Sequence, residues 1–93
     1  MIKKQHVEGQ DKGEILIYTL STCIWCKKTK EYLKDMGVAY DYIEVDSLNE
    51  KEADAIEKEI SRWNPKGSFP TLVLKGNKCI IGFDETALQE ELS

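Results

Sequence analysis

TCIWCKK, residues 22–28, contains two of the chain's three cysteines, Cys23 and Cys26, with two residues between them. A pair at this spacing can supply half of a zinc site, close a structural disulfide, or exchange electrons with another protein's disulfide. The odd number of cysteines is unlike a secreted disulfide framework, which weakens the structural-disulfide interpretation. The choice between the other two depends on the sequence around the pair.

The pair lies between a predicted strand and a predicted helix. Residues 14–20, EILIYTL, are a short apolar run rich in β-forming side chains, typical of a strand buried on both faces. From Cys23 to Met36, apolar or small side chains recur at steps of three and four residues, which predicts an amphipathic helix. Its apolar stripe consists of Cys26, Thr29, Leu33 and Met36. Gly37 follows as a helix stop, because glycine readily adopts the left-handed conformation that ends many helices.

A second strand and a second helix follow. Residues 38–46, VAYDYIEVD, alternate around their apolar side chains, which is typical of a strand. Residues 47–50, SLNE, have the Ser-x-x-Glu form of a capping box, so Ser47 is predicted to begin the helix. The helix should end near WNPKG, residues 63–67, where a proline and a glycine break the pattern. Its predicted apolar face consists of Ala53, Ile56, Ile60 and Trp63.

The last third of the chain predicts a β-hairpin and a short helix. Residues 70–83, PTLVLKGNKCIIGF, predict two strands around the turn at residues 75–78, and Asp84 can cap a final helix. The element order is therefore βαβαββα. The βαβ unit requires parallel strands with a right-handed crossover, while the hairpin adds antiparallel strands. We therefore expect an α/β protein with a mixed four-stranded sheet flanked by three helices.

Composition and charge narrow the function classes. The chain has 93 residues, 41% of them hydrophobic and 32% charged, which is typical of one small globular domain. We divide it into a polar N-terminal leader, residues 1–13, and a folded domain, residues 14–93. The net charge of −4, without a basic stripe, argues against binding to nucleic acid or a membrane surface. With no signal-peptide or membrane-span pattern, we expect a cytoplasmic protein, where paired cysteines are more often catalytic or metal-binding.

The two cysteines of the pair are expected to differ in reactivity. Cys23 falls where the first N–H groups of a helix are unpaired and the helix dipole is positive, so its thiolate is stabilised. Lys27 and Lys28, in the following turn, favour the same charged form. Cys26 lies on the apolar stripe, so we expect it to be more buried and to keep a high pKa. Cys23 is therefore the predicted nucleophile and Cys26 the resolving thiol.

Two observations favour redox chemistry over zinc. A structural zinc site needs about four ligands, and beyond the pair the sequence offers only Cys79 and His6. We interpret Cys79 as a small buried hydrophobic residue of the hairpin and His6 as a solvated leader residue. Pro70 cannot donate to a sheet ladder, so it belongs at the start of a strand, where it is a candidate for a cis peptide bond.

Three motifs together resemble those of the glutaredoxin family, which has the thioredoxin fold. They are YTLSTCIWCKKTKEYL at residues 18–33, FPT at residues 69–71 and GFDETAL at residues 82–88. The resemblance extends from about Glu14 to Leu92. It implies a thioredoxin-like fold and a thiol–disulfide oxidoreductase that reduces protein disulfides or mixed disulfides.

The resemblance also implies roles for individual residues. Cys23 and Cys26 match the nucleophilic and the resolving cysteine, and Pro70 matches a cis-proline beside them. Phe69, directly before that proline, matches a residue whose backbone binds the substrate peptide or glutathione in the manner of an added strand.

Glutathione, or another low-molecular-weight thiol, is the co-substrate that the resemblance implies, with no tightly bound cofactor and no metal site. The γ-glutamyl carboxylate would lie at the start of the last helix, where free N–H groups suit an anion. The candidate residues for binding substrate or glutathione are Trp25, Lys27, Lys66, Phe69, Pro70, Gly82, Phe83 and Asp84.

Several positions depart from the family pattern. Ile24 and Trp25 stand where many members have proline and tyrosine. Leu20 stands where many have lysine or arginine, and Phe83 replaces a second glycine before the last helix. These changes weaken the case for glutathione as the electron donor. They make the chain similar to glutaredoxin-like members that are reduced by a reductase protein and that serve ribonucleotide reductase. Lys66 is a candidate for the replacement charge.

We therefore expect a monomer that reduces disulfide-containing proteins, ribonucleotide reductase among the candidates, with electrons from a thiol or a reductase. Two alternatives stay open. Some glutaredoxins bind an iron–sulfur cluster between two subunits through the first cysteine, here Cys23. The other alternative is a thioredoxin-fold domain without turnover that serves only as a docking partner.

Overall fold

The fold is a five-stranded mixed sheet with helices on both faces, in a computed structural model that describes residues 4–92. The strands are β1 (Gln5–Val7), β2 (Ile15–Thr19), β3 (Tyr40–Glu44), β4 (Thr71–Leu74) and β5 (Lys78–Ile81). The helices are α1 (Ile24–Met36), α2 (Glu50–Trp63) and α3 (Glu85–Leu92). This is the thioredoxin-like arrangement expected from the sequence, with one additional strand.

The strand order in the sheet is β1-β3-β2-β4-β5. β2 lies at the centre, parallel to β3 and antiparallel to β4, and the hairpin partner β5 lies at one edge. The parallel pair is connected through α1, so the predicted βαβ unit and the predicted hairpin are both confirmed. The carboxyl end of β2 leads directly into the loop that carries Cys23, and β4 begins at Thr71, directly after Pro70.

The predicted count of four strands is wrong, because part of the leader pairs with the sheet. β1 runs antiparallel to β3, with His6 opposite Asp41, and Gln10 forms a bridge with Val38. His6 is exposed as expected, yet its Nδ1 lies 2.6 Å from Asp41 Oδ1. A three-residue strand is too short to show a hydrophobic period in the sequence. The division of the chain at residue 14 stays a prediction, and residues 1–3 and 93 lie outside the described residues.

Two hydrophobic layers cover the two faces of the sheet. Successive side chains of a strand point to opposite faces, so Ile15 and Ile17 contact one layer while Tyr18 contacts the other. The layer beneath α1 and α3 contains Ile15, Ile17, Leu33, Val38, Tyr40, Leu72, Leu74, Ile80, Leu88 and Leu92. The layer beneath α2 contains Tyr18, Ile43, Val45, Ile56, Ile60 and Val73. The sheet is therefore fixed from both sides.

The predicted start of α2 is wrong by two residues. Ser47 belongs to a short 3₁₀ turn, and its hydroxyl donates to the Glu44 carbonyl at 2.7 Å. Asn49 caps the helix instead: its side chain accepts from the Glu52 N–H at 2.9 Å, and the Glu52 carboxylate accepts from the Asn49 N–H. SLNE and NEKE both fit a capping-box pattern, so the sequence offers two overlapping starts.

Candidate active site

Cys23 occupies the N-cap of α1, at the junction between sheet and helix. Its backbone is extended, with φ −85° and ψ 115°, and its sulfur accepts a hydrogen bond from the Cys26 N–H at 3.2 Å. The Cys23 N–H donates to the Leu20 carbonyl at 3.1 Å, which closes the turn before the helix. The sulfur is therefore partly exposed and can be reached, and it accepts one of the N–H groups that a helix start leaves unpaired.

Cys26 has the opposite environment. Its side chain is fully buried, which confirms the prediction from the apolar stripe. Burial, and after it the hydrogen bond and charge interaction with Cys23, raise the pKa of the Cys26 thiol to about 12. Cys26 therefore stays protonated while Cys23 is a free thiol or thiolate. The roles assigned to the two thiols are still predictions, but their environments differ as those roles require.

A second pair of interactions holds the loop before Cys23. Asp46, at the end of β3 in the 3₁₀ turn, accepts hydrogen bonds from the Ser21 hydroxyl and from the Ser21 N–H, the latter at 3.0 Å. These hydrogen bonds lower the pKa of the Asp46 carboxyl. The turn that presents Cys23 is therefore tied to the 3₁₀ turn that follows β3. Sequence reasoning missed this contact because Ser21 and Asp46 are far apart in the chain.

The lysines that follow the pair are placed differently from one another. Lys27 is exposed, whereas the Lys28 ammonium lies 5.3 Å from the centroid of the Trp25 ring, a cation–π contact. The first turn of α1 contains no acidic side chain. The turn that follows Cys23 therefore carries positive and no negative side chains, and the assistance of Lys27 and Lys28 to a Cys23 thiolate stays a prediction.

Trp25, in the middle of the Cys23–Cys26 motif, packs against Phe83 in the loop between β5 and α3. Their rings stack with centroids 6.2 Å apart, and Tyr32 meets Phe83 edge-on at 5.8 Å. Trp25 nevertheless remains 56% exposed and Ile24 66% exposed, so the surface beside Cys23 is apolar. The sequence marked Trp25 and Phe83 as departures from the family pattern, but only the structure shows that the two side chains are in contact.

The predicted cis peptide bond is present between Phe69 and Pro70. Pro70 is buried, Phe69 is half-buried, and the Pro70 carbonyl accepts from the Gly82 N–H at 2.9 Å. Gly82 has φ +80°, a left-handed conformation that favours glycine. The hydrogen bond joins the loop before β4 to the loop before α3, so four predicted binding residues, Phe69, Pro70, Gly82 and Phe83, lie on two connected loops.

Asp84 and Lys66, the remaining predicted binding residues, differ in the contacts that they make. Asp84 caps α3 as predicted: its carboxylate accepts from the Ala87 N–H at 3.1 Å, and its carbonyl accepts from the Leu88 N–H at 3.0 Å. Lys66 is exposed, and no hydrogen bond or ion pair within residues 4–92 joins its side chain to another residue. Its predicted role as a replacement charge stays a prediction.

Asn64 is a site-supporting residue that the sequence did not reveal. It is 2% exposed at the carboxyl end of α2, and its side-chain amide donates to the Ser68 carbonyl and hydroxyl and to the Thr71 hydroxyl. The sequence signal was an asparagine before Pro65, which sequence analysis interpreted only as part of a helix end. The contacts bracket Phe69 and Pro70.

Cys79 lies on β5, apart from the pair. It is partly buried instead of fully buried, its thiol donates a weak hydrogen bond to the Trp63 carbonyl at 3.8 Å, and burial raises its pKa. Within the described part of the chain, no three His, Cys, Asp or Glu side chains are arranged to hold a metal ion. Likewise, none of the helices between residues 4 and 92 has the length and apolar character needed to cross a membrane.

Comparison with known proteins identifies relatives over most of the chain. The glutaredoxin family model matches residues 15–80. The crystal structure of the glutaredoxin from Methanosarcina mazei Go1 is similar with a TM-score of 0.89 and 47% sequence identity, covering 97% of this chain and 87% of that one. An uncharacterised glutaredoxin-like 8.6 kDa protein in a rubredoxin operon of Clostridium pasteurianum is 34% identical over 79 aligned residues, and the match covers 82% of this chain and 93% of the relative.

A more distant solved structure contains a ligand. Buckwheat glutaredoxin in complex with glutathione is 26% identical, with a TM-score of 0.67, and the match covers 84% of this chain and 71% of that one. The likeness therefore includes a protein whose structure was determined with the thiol that the sequence resemblance implies.

Proposed function

The chain belongs to the glutaredoxin family, and from that premise we propose that it reduces protein disulfides or mixed disulfides by dithiol exchange through Cys23 and Cys26. One observation supports this most directly: the two thiols lie three residues apart in contrasting environments. Cys23 is partly exposed and accepts a helix N–H, while Cys26 is buried with a pKa of about 12. A dithiol mechanism needs this asymmetry, because one thiol must attack first and the other must wait.

The first step is attack of the Cys23 thiolate on a substrate disulfide. A sulfur–sulfur bond forms between Cys23 and one substrate sulfur, the substrate's own disulfide bond breaks, and the second substrate sulfur leaves as a thiolate that takes up a proton. The N–H of Cys26 stabilises the attacking sulfur before the step. The apolar surface of Ile24 and Trp25 beside Cys23 is available to cover the substrate.

The second step uses Cys26. Once Cys23 is part of a mixed disulfide, it no longer carries the charge that helped to raise the Cys26 pKa, so the Cys26 thiol loses its proton more readily. The Cys26 thiolate attacks the Cys23 sulfur, an intramolecular disulfide forms, and the substrate leaves as a second thiol. Two electrons pass from the dithiol to the substrate, and the protein ends oxidised.

Two thiols or a reductase protein must then return the dithiol form. Glutathione is supported by the family and by the buckwheat complex, with Phe69 and Pro70 as the proposed peptide edge. Gly82, Phe83 and Asp84 would bind the γ-glutamyl carboxylate of glutathione. Trp25, Lys27 and Lys66 would contact the molecule from the sides. Against glutathione, the Phe83 ring stacks on Trp25 where many relatives have glycine, and Leu20 replaces a basic residue. The donor is therefore glutathione, another small thiol, or a reductase protein.

We also propose a monomer in a reducing compartment, the cytoplasm, with disulfide-containing proteins such as ribonucleotide reductase as substrates. Three free cysteines fit such a compartment. Neither nucleic acid nor a membrane is a proposed partner. The cluster-binding alternative rests on Cys23 alone among the described residues, and anaerobic reconstitution with iron and sulfide would test it by absorbance.

Serine variants test the mechanism. Reduction of insulin disulfides should be lost in Cys23→Ser, and Cys26→Ser should accumulate a covalent adduct with a cysteine-containing substrate, visible by mass spectrometry and released by dithiothreitol. Cys79→Ser is the matched control and should keep normal turnover. Normal turnover by Cys23→Ser would contradict the mechanism.

A donor comparison tests the source of electrons. Steady-state insulin reduction would be measured with glutathione plus its reductase and, separately, with a thioredoxin-type reductase. Turnover with the first system alone identifies glutathione as the donor. Turnover with the second alone identifies the reductase protein as the donor, which is the outcome that Leu20 and Phe83 favour.

A further inference from the structure

Asn64 makes an unusual set of contacts for a helix-terminal residue. Its backbone N–H ends α2 by donating to the Ile60 carbonyl at 2.7 Å, and its carbonyl accepts from the Gly67 N–H at 2.9 Å. Its side-chain nitrogen lies 3.1 Å from the Ser68 carbonyl, 3.0 Å from the Ser68 hydroxyl and 3.1 Å from the Thr71 hydroxyl. The Thr71 hydroxyl in turn donates to the Ser68 carbonyl at 2.8 Å. One buried residue thus connects a helix end with both sides of a loop.

The orientation of the Asn64 amide follows from its neighbours. A carbonyl oxygen can only accept a hydrogen bond, so the atom facing the Ser68 carbonyl must be the amide nitrogen. The Thr71 hydroxyl donates to the same carbonyl, and its lone pairs accept from Asn64. Asn64 and Thr71 are both buried, at 2% and 0% exposed, and hydrogen bonds in such surroundings are costly to break.

The loop that Asn64 holds is the one that would contact substrate. Phe69 and Pro70 lie between the two tied residues, Ser68 and Thr71, and the strand ladder of β4 begins only at Thr71. Phe69 therefore lies outside the sheet pairing, and its position depends on the ties at each side. The Pro70 carbonyl is held from the opposite direction by the Gly82 N–H at 2.9 Å.

We infer that Asn64 is a positioning residue for disulfide exchange, which fixes the backbone of Phe69 so that a substrate peptide can bind beside it. This inference rests on the proposed function. Asn64 touches neither cysteine in any described contact, so it acts through the loop and not on the sulfur atoms. Removing its amide frees the loop, and the substrate must then order it on binding.

The consequence is selective for peptide substrates. A small symmetric disulfide such as bis(2-hydroxyethyl) disulfide has no backbone to pair with Phe69, and it needs only an accessible Cys23. A peptide disulfide needs both an accessible Cys23 and a correctly placed Phe69 backbone. Loss of the amide therefore weakens binding of the peptide and leaves the chemistry at Cys23 in place, which separates a positioning role from a general structural one.

The test is a single-turnover comparison of Asn64→Ala with the unaltered protein, both fully reduced beforehand, so no electron donor is needed. For a short symmetric peptide disulfide, the half-saturating concentration should rise about tenfold, the equivalent of about 1.4 kcal/mol, while the limiting rate changes less than about twofold. With bis(2-hydroxyethyl) disulfide the second-order rate constant should change by less than about twofold.

Asn49→Ala is the matched control, because it removes an asparagine from the other end of the same helix. It should lower stability without changing either rate profile. Equal losses of rate by Asn64→Ala with the peptide and the small disulfide would overturn the inference, as would no loss with either. Retained exchange through Cys23 in those cases would leave the proposed function intact, whereas failure of the unaltered protein to reduce either disulfide would contradict the function itself.

A second pair of variants covers the case in which Asn64→Ala does not fold. Thr71→Val removes the hydroxyl that accepts from Asn64 and donates to Ser68, and Thr71→Ser keeps it. Thr71→Val should raise the half-saturating peptide concentration, whereas Thr71→Ser should leave it close to that of the unaltered protein. Identical behaviour of the two Thr71 variants would also overturn the inference.

Discussion

The first turns of α1 and α2 differ in the side chains that cap them and in the charges that follow. α2 begins with Asn49, which accepts from the Glu52 N–H at 2.9 Å, and has two acidic residues in its first turn. α1 begins with Cys23, whose sulfur accepts from the Cys26 N–H at 3.2 Å, and has no acidic residue there. Acidic side chains stabilise a helix start by about 0.3–1 kcal/mol, and lysines oppose it.

The comparison teaches that one helix start is capped by side chains that stabilise it, and the other by the sulfur that the proposed mechanism uses as its nucleophile. The capping box of α2 satisfies two backbone N–H groups, because the Asn49 and Glu52 side chains each accept from the other residue's N–H. At α1 the same kind of N–H is satisfied by a sulfur, and Lys27 follows where an acidic residue would stabilise the helix more. Features of this kind, which weaken local structure without a packing gain, are expected at functional sites.

Replacing each capping residue should separate activity from stability, and Cys23→Ser should show the largest effect. Disulfide reduction should fall by about 100-fold or more, because the nucleophile is gone. The free energy of unfolding should change by less than about 1 kcal/mol, because serine is itself a preferred N-cap. Turnover with insulin and urea unfolding would measure the two quantities, and a variant that is inactive because it is unfolded would weaken the comparison.

Asn49→Ala should show the reverse pattern. Its free energy of unfolding should fall by about 1 kcal/mol, with disulfide reduction unchanged below the unfolding transition. Ser47→Ala is the control, because the sequence offered Ser47 as the alternative cap and, among residues 4–92, its hydroxyl bonds only to the Glu44 carbonyl. Urea unfolding of both variants would check the prediction, and an equal loss from Ser47→Ala would contradict the observed cap.

Lys27→Glu should make the two helix starts more alike. A carboxylate in this turn suits the helix dipole but opposes a thiolate at Cys23, so alkylation of Cys23 by iodoacetamide at neutral pH should slow several-fold. The difference should shrink as salt is added, because Lys27 is exposed. Lys51→Glu, in the first turn of α2, serves as the control and should leave the alkylation rate unchanged. A salt-independent difference would argue against an electrostatic cause.

Asp46→Ala should weaken the turn before α1 in a pH-dependent way. The Ser21 hydrogen bonds lower the Asp46 pKa, so their contribution is present above the ordinary value of 3.8 and is lost as pH falls through the lowered folded value. The variant should therefore be less stable than the unaltered protein near neutral pH, with the gap closing in acid. Urea midpoints between neutral pH and pH about 3 would measure this. A gap that does not depend on pH would contradict it.

His6→Ala should show the smallest effect, with the opposite pH dependence, at the sheet edge formed by β1. The hydrogen bond to Asp41 is the main cause that raises the His6 pKa, and Glu8 adds to it. A raised pKa means that this contribution is fully present below 6.5 and is lost as pH rises through the folded value. The variant should thus be less stable near pH 6 and indistinguishable near pH 9, by urea midpoint. An equal difference in urea midpoint at pH 6 and at pH 9 would exclude a contribution from the charged His6–Asp41 pair.

Much of the candidate site could be predicted because its signals are local. A strand followed by a cysteine pair and a helical stripe predicted where Cys23 and Cys26 lie, and Pro70 before an apolar run predicted the cis peptide bond that the structure contains. The cap at Asp84 was likewise visible in the sequence. Each depends on residues a few positions apart, where spacing alone determines which groups can meet.

Other features could not be predicted, because their partners are remote in the chain or their patterns are ambiguous. His6 and Asp41 are 35 residues apart in the sequence but lie opposite each other in the ladder between β1 and β3, which adds the fifth strand. The choice of Asn49 over Ser47 as cap depends on the 3₁₀ turn before α2, since both fit the same motif.

The sequence by itself determined the βαβαββα order from residue 15 onward and the position of a cysteine pair at a helix start, because the hydrophobic period and short-range spacing depend on neighbouring residues. Only the tertiary structure decided how the surroundings of the pair are assembled. Stacking of Trp25 on Phe83 and the ties from Asn64 to Ser68 join elements that fold together from different parts of the chain. Such contacts depend on how strands and helices pack, and packing brings together side chains whose spacing in the sequence carries no signal.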